Sequence, residues 1–502
     1  MTTYVFFIGG TGARVLRSLT MLMASGVSIN SGDRIVPIVV DYDLQNGDLV
    51  KALDLFNRYS YLNKIGEFSD GEKGFFATPM DVKPYSTVDI KCKDTFKNYI
   101  DLETIKLMSP STAVFIESLY DNSPKTDSRT ELNLEMSVGF KGNPNIGSVV
   151  FNEYFQNSNY GFSEFKANFA EGDRVFIVGS IFGGTGSSGL PSLVKKFRQT
   201  GGHVGNTLAL QNAPIGACIV LPYFDVKPSD TSAIDSQTFN SKAKAALTYY
   251  DAEINKLMNE IYYIGCNDRR NPYDNVEGGK EQSNNAHLIE LMSAISIVEF
   301  ANRPVTNMTN LDNSGNLVPN CYEYTTTSGL VNVEGVDKLP GTAYLDLLAL
   351  PNDTEDSFYN KYVANLVAFA YFAKYALAYT YSGKDGGLFS ESYYKSLEKF
   401  IKQDTDFGSR LVSFLDAFVL WTKELATNSL LNFNPFEFSM DLEHLVNVSS
   451  AKNPIKGLEK SIRLALKEGN DEFKNSIKPE SVFLRIGYMA GDVAKDKLTN
   501  LK

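Results

Sequence analysis

The chain has 502 residues, more than the roughly 100–250 of most single domains, so two domains or one domain with large additions are expected. With 43% hydrophobic, 12% aromatic and 21% charged residues it is composed to bury a core, which excludes large-scale disorder. A formal charge of −11 argues against general binding to nucleic acid or anionic lipid, which needs concentrated Lys and Arg, but leaves room for one anionic ligand held by backbone N–H groups.

The N-terminus, MTTYVFFIGG, has no basic stretch and runs straight into an apolar segment, which argues against a signal peptide. Residues 3–8 read as a strand, followed by Gly9-Gly10-Thr11-Gly12-Ala13, a helix over 13–25 and a second strand over 34–40 that ends at Asp41-Tyr42-Asp43. Strand, glycine turn, helix and strand form a βαβ unit, and the continuous apolar strands suit a parallel sheet buried on both faces. Residues 58–135 mix short apolar runs with polar turns and read as an irregular insertion with some helix. Regularity returns with a helix over 149–170 and a strand over 174–179. A second glycine loop, Phe182-Gly183-Gly184-Thr185-Gly186-Ser187-Ser188-Gly189, then opens a helix over 187–199. Strands over 215–221 and 261–265 and helices over 236–259 and 284–300 complete a doubly wound α/β domain, residues 1–302.

The Asn-, Thr- and Gly-rich segment 307–332 breaks that pattern, and residues 303–502 read as a mostly helical domain, with helices over 358–381, 391–403, 407–425 and 457–468. The apolar segment 363–381 has the length of a membrane span but carries Asn365 and Lys374. A lysine at mid-bilayer costs about 3 kcal/mol, so a buried helix is expected, with Lys374 reaching the surface. Cys92, Cys218, Cys266 and Cys321 show no CxxC spacing and form no disulfide framework, which predicts reduced thiols in a cytoplasmic protein. His203, His287 and His444 are too dispersed for a zinc pattern.

Both glycine loops follow a strand of one expected sheet and open a helix. Glycine lets backbone approach a ligand closely, and the unpaired N–H groups of a helix start attract phosphate. No GKS or GKT closes either loop, so neither is a Walker A motif. The first loop alone also fits a Rossmann dinucleotide site, with Asp41 or Asp43 as the ribose-binding acid, and hence an oxidoreductase. That reading leaves the second loop unexplained.

GGTGSSG at 183–189 resembles the glycine-rich signature of the tubulin and FtsZ superfamily, with Phe182 where a small residue is usual. The order of the other motifs is similar to that family: GGTGARV at 9–15, the acidic Asp41-Tyr42-Asp43, Gly142-Asn143-Pro144-Asn145 before a helix, and Ile264-Gly265-Cys266-Asn267 at a strand end. The resemblance implies GTP/GDP with Mg²⁺. Phosphates would lie against Gly9, Gly10, Thr11, Gly12, Ala13, Gly142, Asn143, Asn145, Gly183, Gly184, Thr185, Gly186 and Ser187. Asp41 and Asp43 would stand near the terminal phosphate, Asp43 as metal ligand. Guanine would be read by Asn267 and by Asn285, with Asn284 its neighbour, since an amide offers the matching donor and acceptor. It further implies head-to-tail self-assembly into filaments, an open heterologous contact, and slow GTP hydrolysis across it. Residues 284–300 resemble the family's central core helix; its water-orienting acids follow that helix, and in this region the sequence offers Glu299 and Asp312 without the family's spacing. A scaffold that binds nucleotide without turnover is the alternative within the fold.

Overall fold

The computed structural model describes residues 1–81, 87–89, 94–120, 131–156, 160–199, 207–229, 236–266, 272–276, 278–325, 329–332, 362–382, 405–428, 436–440, 445–446, 460–461, 464–465, 468 and 478–499. The strands are β1 Thr2–Ile8, β2 Arg34–Asp41, β3 Thr87–Asp89, β4 Arg174–Ser180, β5 Ile215–Val220, β6 Glu260–Ile264, β7 Asn310–Leu311, β8 Leu317–Val318, β9 Asn320–Thr325 and β10 Gly329–Asn332. β7 and β8 form a separate hairpin, and the others make one sheet in the order β3-β2-β1-β4-β5-β6-β9-β10. Every pairing in that sheet is parallel except β9 with β10. The five expected apolar strands form and lie side by side, and β4 and β5 are buried along their whole length, as a sheet covered on both faces requires.

The longer helices are α1 Gly9–Ala24, α2 Gly47–Gly66, α3 Pro144–Gln156, α4 Tyr160–Asn168, α5 Gly184–Arg198, α6 Phe239–Glu253, α7 Leu288–Asn302, α8 Ala364–Ser382, α9 Asp406–Asn428 and α10 Pro479–Thr499. Alternation along β1 sorts the layers. Tyr4 and Phe6 meet Phe165 of α4, and Phe6 also meets Phe197 of α5, on one face. On the other face Phe176 of β4 packs on Phe300 of α7, with ring centroids 5.0 Å apart, and α1 packs against both α2 and α7. Every residue of α7 from Leu288 to Ala301 is buried except Glu299, as befits a helix apolar on all sides. α8, α9 and α10 pack on one another, and α9 and α10 also pack on α2, so this helical layer lies against the sheet's own helices. α8 is the expected buried helix. Lys374 is half-buried and donates to the Phe438 carbonyl. Among the described residues no helix is long and apolar enough to cross a membrane.

Two regions differ from the sequence expectation. Residues 58–66 complete α2, β3 pairs with β2 as an edge strand, and short helices Phe96–Tyr99, Leu102–Met108 and Pro110–Leu119 follow. The sheet also continues past residue 302 through β9, which takes the free edge of β6. Ladder hydrogen bonds come from backbone, so polar composition does not prevent them, and Tyr322 stacks on Tyr262 at 4.8 Å to pack the new strand. The helix expected over 391–403 lies outside the described residues, as does most of 457–468.

Candidate functional site: a cleft at the reversal of strand order

Strand order reverses between β1 and β4, the place where open α/β sheets hold ligands beyond the strands' carboxyl ends. α1 follows β1 and α5 follows β4. Their first turns line one cleft through Gly9, Gly10 and Thr11 on one side and Gly183, Gly184, Thr185 and Gly186 on the other. The glycines are thus mainly first helical turns and not loops that precede them. Neither start has a side-chain cap, at Ile8 or at Gly183. α2 and α7 begin at the same edge and are both capped. Asn46 Oδ1 accepts from Asp48 N at 2.9 Å, and His287 Nδ1 accepts from Ile289 N at 3.1 Å while Glu290 Oε2 accepts from His287 N at 3.0 Å. The uncapped starts of α1 and α5 both face the cleft. Their orphan N–H groups and positive dipole ends make it an anion site.

The glycines divide by what a Cβ would meet. At Gly12 it would lie 2.6 Å from the Phe7 carbonyl carbon, at Gly186 2.7 Å from Ser180 N and O, and at Gly184 2.9 Å from Phe140 Cβ. Those positions let helix and strand, or helix and loop, approach closely. At Gly10 the nearest atoms are Asn46 Nδ2 at 3.8 Å and Arg14 NH1 at 3.9 Å, so the space there is cleft and not protein. Ala13 is buried in the core. The Ser187 hydroxyl donates to the Gly183 carbonyl of its own helix, away from the cleft.

The acids after β2 divide in the same way. Both line the cleft. Asp43 Oδ1 accepts from Gln45 N at 3.1 Å and its Oδ2 from Gly279 N at 2.5 Å, so both oxygens serve the backbone. Asp41 Oδ1 accepts from Asp43 N at 3.2 Å, but its buried Oδ2 has no partner. Burial pushes the Asp41 carboxyl up to about 7. Asp41 thus keeps one buried oxygen without a hydrogen-bond partner, while each Asp43 oxygen accepts one backbone N–H. Among the described residues no cluster of three or more His, Cys, Asp or Glu could hold a metal alone. A cation here would therefore take most of its ligands from water and phosphate, as Mg²⁺ does.

Gly142 lines the cleft, its carbonyl held by Lys242 Nζ at 3.0 Å. Asn143 turns its amide onto the Phe140 carbonyl at 3.0 Å, and exposed Asn145 donates to Glu131 at 2.9 Å; neither lines the cleft. Asn284, Phe224 and Tyr273 also line the cleft. Asn285 is exposed and offers only its carbonyl, to Tyr273 OH at 2.8 Å. Asn267 lies outside the described residues. Glu299 sits eleven residues into α7, about 17 Å along the helix from its start, and accepts from Tyr362 OH. Asp312 is spent on a turn, its Oδ1 accepting from Ser314 N and Asn316 N, both at 2.8 Å.

Sequence reasoning missed Arg14. Placed one turn into α1 beside an anion site, it would read as a phosphate ligand, yet its charge is already paired with two buried carboxylates. Nε meets Glu290 Oε1 at 2.7 Å, NH1 meets Asp48 Oδ2 at 2.8 Å, and NH2 meets Tyr223 OH at 2.9 Å. Burial alone would lower its pKa, but Tyr223, Asp48 and Glu290 hold it above its ordinary value. These partners lie 34 to 276 residues away, so no local spacing signals them.

His287 carries a pH consequence. Burial, and then the nearby Arg14 charge, lower it to about 4 from an ordinary 6.5. A base depressed in the folded state contributes stability that is complete above 6.5 and lost as pH falls toward 4. Thermal melts should show up to about 3 kcal/mol of acid destabilisation across that window. His287→Asn, which keeps a capping acceptor, should flatten the fall.

No protein-family model and no curated protein matches the chain. Among solved structures it is similar to CetZ from Methanosaeta thermophila strain DSM 6194, at 12% identity and a TM-score of 0.29, covering 60% of this chain and 54% of that one. It is also similar to a mutant FtsZ of M. jannaschii, at 14% identity and a TM-score of 0.28, covering 64% of each. The chain thus spans less than two thirds of the length of either, and a likeness of this size decides nothing about ligand or activity.

Proposed function

We propose that the cleft binds a guanine nucleotide through its phosphates, with Mg²⁺ shared between the phosphates and Asp41. The observation that carries this reading is the convergence of the two uncapped helix starts, α1 and α5, on one cleft that also holds a buried carboxylate oxygen without a partner. The N–H groups of Gly10, Thr11, Gly184 and Thr185 supply donors for phosphate, Gly10 leaves the room, and Asp41 supplies charge for the cation. When bound, Mg²⁺ would neutralise phosphate charge that Arg14, already paired, does not meet. The cleft encloses about 150 Å³, below the ~300–1,000 Å³ of common ligand pockets, so a bound nucleotide would keep part of its surface in water. No described residue of the lining other than Asp41, Asp43 and Asp274 is an acid. Turnover would therefore rest on a second copy docked head-to-tail, and nucleotide binding by one copy needs none.

Mass analysis of nucleotide released from the purified protein tests the reading directly, followed by titration with GTP and Mg²⁺. GDP or GTP is the expected result. Absorbance above 300 nm would instead identify a nicotinamide or flavin and a dinucleotide-binding enzyme.

Base choice falls to Asn284. Its N and Nδ2 donate to Asp48 Oδ1 and Oδ2 at 2.7 and 3.0 Å, which leaves its Oδ1 as an acceptor for guanine's N–H donors. Asn284→Ala should weaken GTP about three- to tenfold and ATP little. Equal losses for the two nucleotides would remove Asn284 from this role.

A further inference from the structure

The segment that presents Asn284 is anchored residue by residue. Asn284 N donates to Asp48 Oδ1 at 2.7 Å, and the Asn285 carbonyl accepts from Tyr273 OH at 2.8 Å. Ala286 N donates to Glu424 Oε2 at 2.9 Å, and His287 N donates to Glu290 Oε2 at 3.0 Å. Three buried carboxylates from three distant parts of the chain thus accept three N–H groups of one four-residue segment. Two arginines three residues apart on α1 hold them: Arg14 pairs with Asp48 and Glu290, and Arg17 pairs with Glu424 at 2.6 Å. Asp48 and Glu290 belong to the sheet domain, but Glu424 comes from α9 in the C-terminal helical layer. Beside it Trp421 Nε1 reaches Ser18 Oγ of α1 at 3.4 Å. The Arg17 and Glu424 side chains are 8% and 7% exposed, so the link is made away from water, where breaking it is costly.

We infer that Glu424 is a positioning residue of the ligand site: through Ala286 it sets the place of Asn284, so that the C-terminal helical layer completes the base end of the cleft. This rests on the guanine-nucleotide reading above. The phosphate end is built from the first turns of α1 and α5, whereas Glu424 bonds Arg17 farther along α1 and Ala286, so the phosphate end does not depend on it directly. Coupling is reciprocal, so a ligand that engages Asn284 tightens the docking of α9, and any partner that lifts α9 loosens the ligand.

The test compares GTP with inorganic tripolyphosphate, each with Mg²⁺, by calorimetric titration of the full chain. Tripolyphosphate probes the phosphate end alone. Glu424→Leu, which removes the acceptor for Ala286, should weaken GTP about three- to tenfold and leave tripolyphosphate affinity unchanged. If the buried Arg17 left by that change impairs folding, the double variant Arg17→Met with Glu424→Met replaces the ion pair by an apolar pair, which folds tolerate well. It still lacks the acceptor for Ala286 and should show the same selective loss. Wild-type affinity for GTP in both variants would overturn the inference. So would an equal loss of both ligands, which marks a purely structural role. Wild-type protein that binds tripolyphosphate as tightly as GTP would overturn the inference through its base end while sparing the phosphate site. Wild-type protein that binds neither would overturn the nucleotide reading itself.

Discussion

Gly10→Leu is expected to remove nucleotide binding, by about 100-fold or more, from a protein that melts no lower than wild type. A leucine side chain at this position enters the cleft, because the nearest protein atoms to a Cβ are 3.8 and 3.9 Å away and no backbone blocks it. It would occupy the space in front of the free N–H groups of α1, and a loss of roughly 3 kcal/mol of phosphate interaction corresponds to that factor. Gly10 lies within α1 and lacks the positive φ of Gly9, so the exchange gains helix propensity, about 0.5–1 kcal/mol, instead of introducing strain. Gly184→Val and Gly186→Val are poorer probes. Their side chains would strike Phe140 and the Ser180 backbone, so lost binding would be confounded with a disturbed fold. Fluorescent-nucleotide titration beside a thermal melt reads both quantities. A folded Gly10→Leu protein that binds GTP like wild type would refute the phosphate site.

Asp41→Asn should move stability and cation dependence in opposite directions. The Asp41 carboxyl ordinarily titrates near 3.8 and is raised to about 7 in the fold by burial, with the Asp43 and Asp48 charges adding to it. An acid raised in the folded state contributes stability that is full below 3.8 and lost as pH rises through 7. At pH 8 the ligand-free protein therefore carries a buried charge with one oxygen unpaired. The linkage bound is about 4 kcal/mol, and an unpaired amide N–H would return part of it, so a net gain of about 2 kcal/mol is expected for Asp41→Asn at pH 8. At pH 5 the gain should shrink. The same change removes the charge proposed to share Mg²⁺, so the ratio of GTP affinities with and without Mg²⁺ should fall toward one. Melts in chelator at pH 5 and 8, with titrations at pH 8, test both halves. A variant that is less stable at pH 8 and keeps the wild-type Mg²⁺ dependence would count against the assignment.

What the sequence determined by itself was whatever depends on neighbours along the chain. Continuous apolar runs at 3–8, 174–179 and 215–221 can only be strands covered on both faces, and they are. Gly-Gly-Thr-Gly after two such strands marks helix starts with bare N–H groups, and both open on one cleft. The tertiary structure decided how the members of each local pair differ in their surroundings. Asp41 and Asp43 look alike in sequence, but Asp43 spends both oxygens on Gln45 and Gly279, whose backbones arrive from two directions. Asn284 and Asn285 look alike too, but only Asn284 is turned to the cleft, because Asp48 holds its amide. Gly10 and Gly12 differ only in what lies opposite, open cleft for one and the backbone of β1 for the other. The role of α9 was the least legible. Its Glu424 meets Arg17 across 407 residues and Ala286 across 138, and a contact of that span leaves no periodicity or spacing in the chain. Such pairs exist because burying a charge requires a partner of opposite sign nearby, and only the folded chain determines which partner is near.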